Sequence, residues 1–316
     1  MTPASGALTA EVKDVAKAQG AVLVGVANVE RFEASPPFRD APPTGHRPAD
    51  FLPGARSVVS IAIPVLDPVM DAPARLADQD LEMIPAHVRR PYLEALYNRV
   101  GHVLHDNLLE AIAQHVGMRL LAHGFQAMIF PTTGLHPGVP GMTDEQIWEG
   151  VPGKPGSPFG FTFGPFSHRH AAVRAGLGEF GYSNVVLTRA FGPRQRFNSI
   201  VTDAPLAPDP LVTEPICLRD KCRLCLDACS MQCIRLRDDP SVRDYRSLLS
   251  DDRTRIFLDT PAMTFPKLCR RRREGRTDPP VRGDCIRVCP VPAPPKNPPP
   301  HLKKILDDWI ARSTRA

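Results

Sequence analysis

Residues 217–233 read CLRDKCRLCLDACSMQC, and residues 285–290 read CIRVCP. With Cys269, these two runs hold all eight cysteines of a 316-residue chain, and none occurs before position 217. A disulfide framework suits a short secreted chain, not one corner of a large one, so the clustering points to metal or cluster binding. The spacing is Cys217-x4-Cys222-x2-Cys225-x3-Cys229-x3-Cys233, then Cys269-x15-Cys285-x3-Cys289-Pro290. Bacterial two-cluster ferredoxins use C-x2-C-x2-C-x3-C-P twice, and the fourth cysteine of each run ligates the other cluster. KCRLCLDAC and DCIRVCP keep the last part of that pattern. The departures are the leading x4 spacing, Ser230 in place of proline, and Arg282 where the second run would carry a cysteine.

Eight thiolates are what two [4Fe–4S] clusters require. Cross-ligation assigns Cys217, Cys222, Cys225 and Cys289 to one cluster. Cys229, Cys233, Cys269 and Cys285 then hold the other, with Cys233 and Cys269 standing in for cysteines missing from the usual run. Structural zinc is the alternative, and it favours paired C-x2-C knuckles, often with histidine. Only Cys222 and Cys225 form such a pair, and no histidine lies between His170 and His301. The pattern therefore fits iron–sulfur clusters better, and with them single-electron transfer.

Outward from the cysteines, 42% hydrophobic and 23% charged residues describe a soluble, core-forming chain. Proline is in excess, with 36 residues, about twice the usual share. No apolar run approaches the ~20 residues of a membrane helix. The opening MTPASGALTAEVKDVAK has neither a hydrophobic signal core nor a twin-arginine pair, which reads as cytoplasmic and not membrane-bound. A net charge of +5 is too mild to argue for nucleic acid.

Apolar periodicity predicts a helix over 8–19 stopped by Gly20, a buried strand over 21–27 and a second over 57–65. A long helical pattern covers 91–123, with Gly101 and Gly117 as weak points and Gly124 as its close, followed by a strand over 125–130. The Gly- and Pro-rich stretch 131–165 reads as a long functional loop. Residues 167–175 read as helix, and NVVLT (184–188) and FNSIVT (197–202) as a hairpin closed by RAFGPRQR. In the tail, Leu302, Ile305, Trp309 and Ile310 share one helical face. The expected organisation is a core over 1–210, a cysteine module over 211–292, and a Pro-rich segment with a terminal helix over 293–316.

The block HAAVRAGLGEFGYSNVVLTRAFGPRQRFNSIVTDAPLAPDP (170–210), followed by the cysteine runs, resembles the cobalamin-dependent reductive dehalogenase and epoxyqueuosine reductase superfamily. GAVLVGVANVERF (20–32) and FLPGARSVVSIAIPV (51–65) are similar to that family's opening segments. The resemblance implies an α/β (α+β) fold, with a nitroreductase-like cobalamin-binding core joined to a ferredoxin-like module of two [4Fe–4S] clusters. It also implies cobalamin as cofactor, a small-molecule substrate, and electrons supplied by a ferredoxin- or flavodoxin-type donor. Within that family, the proton-donating Asp of epoxyqueuosine reductases corresponds to Thr162, the lysine expected after AGLG corresponds to Tyr182, and only 27 residues follow Cys289. These departures argue against epoxyqueuosine reduction and for a cytosolic, dehalogenase-like corrinoid reductase. The alternative is a non-catalytic iron–sulfur partner that reduces or reactivates a corrinoid on another protein.

Tyr182 and His168 are the candidate proton donors, because reduction needs an acid within hydrogen-bond reach; packing within the fold is the competing role for each. Asn184, Arg194, Arg196, Thr202 and Asp203 are the candidate cobalamin contacts. Solvated hairpin arginines and turn or cap roles compete with that reading. The basic run Arg270–Arg273, with Arg276 and Arg282, lacks interleaved aromatics, which argues against base stacking. It suits an acidic electron donor or a solvated loop.

Overall fold

The computed structural model describes residues 5–33, 38, 41–42, 45–77, 79, 82–132, 166–239, 260–264 and 283–314. Helix α1 (Ser5–Ala18) leads to strand β1 (Leu23–Asn28) through Gly20, whose φ of +107° suits glycine alone. A short helix α2 (Pro48–Phe51), strand β2 (Ser57–Pro64) and helix α3 (Asp67–Ala77) follow. The long helical pattern is two helices, α4 (Ala86–Asn98) and α5 (His105–Ala122), joined by a π-type turn over Arg99–Leu104 that contains Gly101. A Cβ on Gly101 would lie 2.5 Å from the Tyr97 ring, so the wide turn falls where the helix has no room for a side chain. Strand β3 (Ala127–Ile129), helix α6 (His168–Arg174) and strands β4 (Glu179–Phe180), β5 (Val186–Leu187) and β6 (Gln195–Thr202) complete this part.

The central sheet runs β1-β2-β6-β3, antiparallel throughout. The expected hairpin between 184–188 and 197–202 does not form: β5 pairs with β4, while β6 pairs with β2 and β3. The cause is local. Thr188 and Gly192 exchange both backbone hydrogen bonds at 2.9 Å, which turns the chain sharply before β6 begins. β6 then buries nearly every residue in the middle of the sheet, a larger apolar gain than a two-stranded ribbon offers.

Period-two alternation sorts the sheet into two faces. Val59, Ile61, Ile63 and Ile200 pack with Leu8, Val12 and Ala16 of α1 and Leu109, Ile112 and Val116 of α5. On the opposite face Ala27, Val58 and Val201 meet Phe130, Phe166 and Ala171. Ala62 and Phe197 meet Ala172, Phe180 and Val186 on that same side. Gly25 belongs to this face because α6 ends against it, and a Cβ there would lie 2.4 Å from the Ala175 carbonyl oxygen. The open edge of β1 is covered by Asp209, whose backbone N–H donates to Val26 O at 2.8 Å and whose Oδ2 accepts from Val26 N at 2.7 Å.

The cysteine region carries α7 (Leu224–Asp227), the two-stranded β7 (Ile234–Leu236) and β8 (Ala262–Thr264), α8 (Asp284–Arg287) and α9 (Pro300–Ser313). Leu302 and Leu306 of α9 are buried against Leu224, Ala228 and Val288, with Ile305, Trp309 and Ile310 beside them. Among the described residues no helix is long and apolar enough to cross a membrane.

Candidate metal centre

Cys217 reaches its place through the core. The Glu179 carboxylate, in β4, accepts the N–H of Ile216 at 2.8 Å and of Cys217 at 2.6 Å through Oε1, and pairs with Arg219 at 3.0 Å through Oε2. Gly181 lies so close that a Cβ would stand 3.6 Å from Cys217 Sγ. Trp309 Nε1 donates to Lys221 O at 3.2 Å, tying α9 to the same segment. Cys222 and Cys225 flank Leu224, the buried anchor of α7.

The second run is held as firmly. Arg287, 2% exposed, donates to Met70 O at 2.7 Å and pairs with Asp284 at 3.2 Å. Arg194 donates to Arg287 O at 2.9 Å and pairs with Asp67 at 3.1 Å. Gly192 has a φ of +54°, and a Cβ there would lie 1.9 Å from Val291 O, so core and second run touch backbone to backbone. Cys289 is thereby brought to the first run.

Burial pushes the Cys225 thiol far up, and Cys285, Cys289, Cys217 and Cys222 raise it further. Burial also lifts Cys289 to about 11, with Cys222 and Cys217 adding to the rise and Arg194 pulling the other way. Cys222 is raised for the same first reason, burial, with Cys217 contributing. Four mutually repelling, half-buried thiolates are costly unless a cationic group compensates them, which is what cluster iron does. The donor set therefore fits a cluster. In the second set Cys229 and Cys233 place their sulfurs 3.3 Å apart. Cys229 is lowered to about 6, by the Cys233 thiol first and also by the N–H groups of Cys233, Ile234 and Met231. Cys285 packs with Cys229, Cys233, Leu226 and Ala262. Cys269 lies outside the described residues, as do Thr162 and the Arg270–Arg273 run with Arg276 and Arg282. Among the described residues no three His, Cys, Asp or Glu side chains converge tightly enough for a single metal ion.

The remaining candidates are dispersed. Tyr182 stands at the cysteines, its hydroxyl donating to Asp220 Oδ1 at 2.9 Å and its ring under Arg219; burial, then Asp220, pushes its pKa up. His168 lies across the sheet's α6 face. Its Nε2 meets Pro131 O at 3.0 Å, so that nitrogen carries the proton, and Nδ1 accepts from Ser199 Oγ at 3.0 Å. Burial lowers His168 to about 4, leaving it neutral at pH 7. Asn184, with φ +58°, bonds Thr264 Oγ1 at 3.3 Å and receives Arg169 on its carbonyl. Arg194 is buried and Arg196 pairs with buried Asp106 at 3.0 Å, so neither is a solvated hairpin arginine. Thr202 Oγ1 donates to Gln126 O, and Asp203 accepts from Gln126 N. Each of the five thus bonds inside the protein. A small hollow is lined by Phe32, Phe166, His170 and Arg174.

Glu179, Arg287 and Asp284 were not singled out in the sequence. The available signal was an acid inside a glycine-rich turn and charges interleaved with the second cysteine run.

No family model matches the chain. Over 74 residues it is 45% identical to the tetrachloroethene reductive dehalogenase of Desulfitobacterium hafniense, covering 22% of this chain and 13% of that protein. The same figures hold for the enzyme of that name from Dehalobacter restrictus. A solved catabolic reductive dehalogenase in complex with 3-bromo-4-hydroxybenzoic acid superposes with a TM-score of 0.53 and 14% identity, over 98% of this chain and 35% of its own. Another, presented as suggesting a mechanism for B12-dependent dehalogenation, gives 0.52 over 97% and 34%. The chain thus spans about a third of the dehalogenases it superposes on. Its fold is a mixed α/β one shared with reductive dehalogenases, as the glycine-rich block and cysteine runs implied, and the proteins it resembles are oxidoreductases.

Proposed function

We propose that the chain is an iron–sulfur reductase of the dehalogenase kind, acting on a small molecule through a corrinoid. The observation that carries this reading is the gathering of Cys217, Cys222, Cys225 and Cys289 beside Cys229, Cys233 and Cys285, with both runs braced on the core by Glu179, Arg194 and Arg287. Bound there, clusters would supply one-electron transfer, and a corrinoid would supply an electron-rich cobalt. The protein's own residues position and enclose. Glu179 fixes the Cys217 backbone, α9 excludes water from the apolar side of both runs, and Tyr182 holds its proton on Asp220. A ferredoxin- or flavodoxin-type donor and a cytoplasmic setting belong to the same proposal.

Metal analysis of anaerobically prepared protein tests it. The expected result is iron and acid-labile sulfide for two [4Fe–4S] clusters, bound cobalt after supply of cobalamin, and turnover of a halogenated substrate with a strong reductant. Zinc without iron or sulfide overturns it. The internal bonding of Asn184, Arg194, Arg196, Thr202 and Asp203 favours a second reading, an iron–sulfur partner reducing a corrinoid held by another protein. Full iron and sulfide with no retained cobalt selects that second reading.

A further inference from the structure

One carboxylate in the glycine-rich turn is spent wholly on the cysteine segment. Glu179 accepts both the Ile216 and Cys217 amides and holds Arg219, while every other hydrogen bond between that turn and residues 216–220 comes from the Tyr182–Asp220 pair. We propose that Glu179 is a positioning residue that sets the reduction potential of the Cys217 cluster, and that it holds this cluster low.

Two physical effects act in the same direction. Hydrogen bonds from backbone N–H groups to cluster sulfur stabilise the more negative, reduced state and raise the potential. The Cys217 N–H is committed to a carboxylate at 2.6 Å and so is withdrawn from that role. The carboxylate charge also opposes added electron density a few bonds away, in a site where water screens it little: the Glu179 side chain is 20% exposed. Arg219 offsets the charge, but its own side chain is 34% exposed and therefore more strongly screened. The carboxylate is thus the less exposed charge of the pair beside Cys217. Backbone N–H groups do reach other sulfurs, those of Leu224 and Val291 on Cys222 and Cys289 in the same set and that of Cys233 on Cys229, at 3.3 Å, in the other. Glu179 bonds the Cys217 segment and, among the described residues, no cysteine of the other set, so its effect is expected on one potential and not on the other.

This inference rests on the two-cluster reading above, and the test separates the two. Wild type, Glu179→Gln, Glu179→Asp and Arg219→Gln are prepared anaerobically, assayed for iron and sulfide, and titrated by electron paramagnetic resonance. Gln keeps Oε1 as the acceptor for both amides and removes the charge together with the Oε2 acceptor of Arg219. Glu179→Gln is expected to retain its iron and to shift one of two cluster signals upward by at least about tenfold in its reduction equilibrium, about 59 mV for a one-electron couple. The other signal stays in place, Glu179→Asp stays near wild type, and Arg219→Gln moves the same signal downward. Iron-loaded Glu179→Gln with both potentials unmoved, or both moved equally, overturns the inference and leaves the function intact. If Glu179→Gln fails to load, Arg219→Gln decides, and an unmoved potential there overturns it. Wild type lacking iron and sulfide overturns both.

Discussion

Arg287 carries the heaviest single load in the second cysteine run, and its removal gives a quantitative check. The guanidinium is 2% exposed, donates to Met70 O, lies 3.2 Å from Asp284 and 4.0 Å from Asp71, and sits between Cys285 and Cys289. Arg287→Met keeps the length of the side chain and removes every donor. Breaking one member of a buried ion pair costs about 3–5 kcal/mol, because the remaining carboxylate stays desolvated; Asp284 keeps His301 at 3.1 Å as its other partner. The orphaned Met70 carbonyl adds about 1–3 kcal/mol. These terms overlap, so the expected loss is about 4 kcal/mol, near the middle of the buried-pair range. With a urea slope of about 3 kcal/mol/M, the midpoint falls by more than ~1 M. The assay is urea unfolding of anaerobically prepared protein followed by far-ultraviolet circular dichroism, alongside the double variant Arg287→Met/Asp284→Leu. Replacing both charges by apolar groups should recover about 1–4 kcal/mol relative to the single variant. A single variant within about 1 kcal/mol of wild type, or a double variant no more stable than the single, refutes the view that Arg287, paired with Asp284, bonds the run to the core through Met70 and Asp71.

Three further outcomes follow from the same geometry. His168 titrates near 4 when folded, against an ordinary value of 6.5, so the unfolded chain binds more protons between those values; stability falls as pH drops from about 6.5 to about 4 and is flat above. His168→Gln should remove that component, seen as a flatter difference curve in pH-dependent thermal unfolding, with Asp106 and Arg196 as the neighbouring charges left unchanged. Gly192→Ala forces a Cβ to 1.9 Å from Val291 O, and the expected result is loss of bound iron with the circular dichroism of the sheet retained. Leu302→Ala removes a fully buried anchor of α9 and should cost about 2–5 kcal/mol, measured by the same urea titration.

The parts of the fold legible in the sequence are those that periodicity and glycine specify locally. β1, β2, β3 and α6 follow apolar runs bounded by turn residues, and Gly20 and Gly124 end helices at φ values of +107° and +83°. The misread hairpin was a long-range matter. NVVLT and FNSIVT are equally good strands, and only the competing partners β4 and β2 decide where each goes. The ion pairs of Arg194 and Arg196 were not legible for a related reason: their partners Asp67 and Asp106 lie 127 and 90 positions away. That the cysteines of each run lie near one another was legible because spacing along the chain is short-range. What braces them was not, since Glu179 meets Cys217 across 38 positions and Arg287 meets Met70 across 217.

The seating of α9 bears on how the protein is made. Leu224 and Ala228 from one cysteine run and Val288 from the other close around Leu302 and Leu306. During synthesis residues 217–233 therefore leave the ribosome with Leu224 and Ala228 not yet covered by α9. They wait for some seventy further residues before the helix that shelters them exists. Closure of this apolar cluster is thereby a late event in the making of the chain.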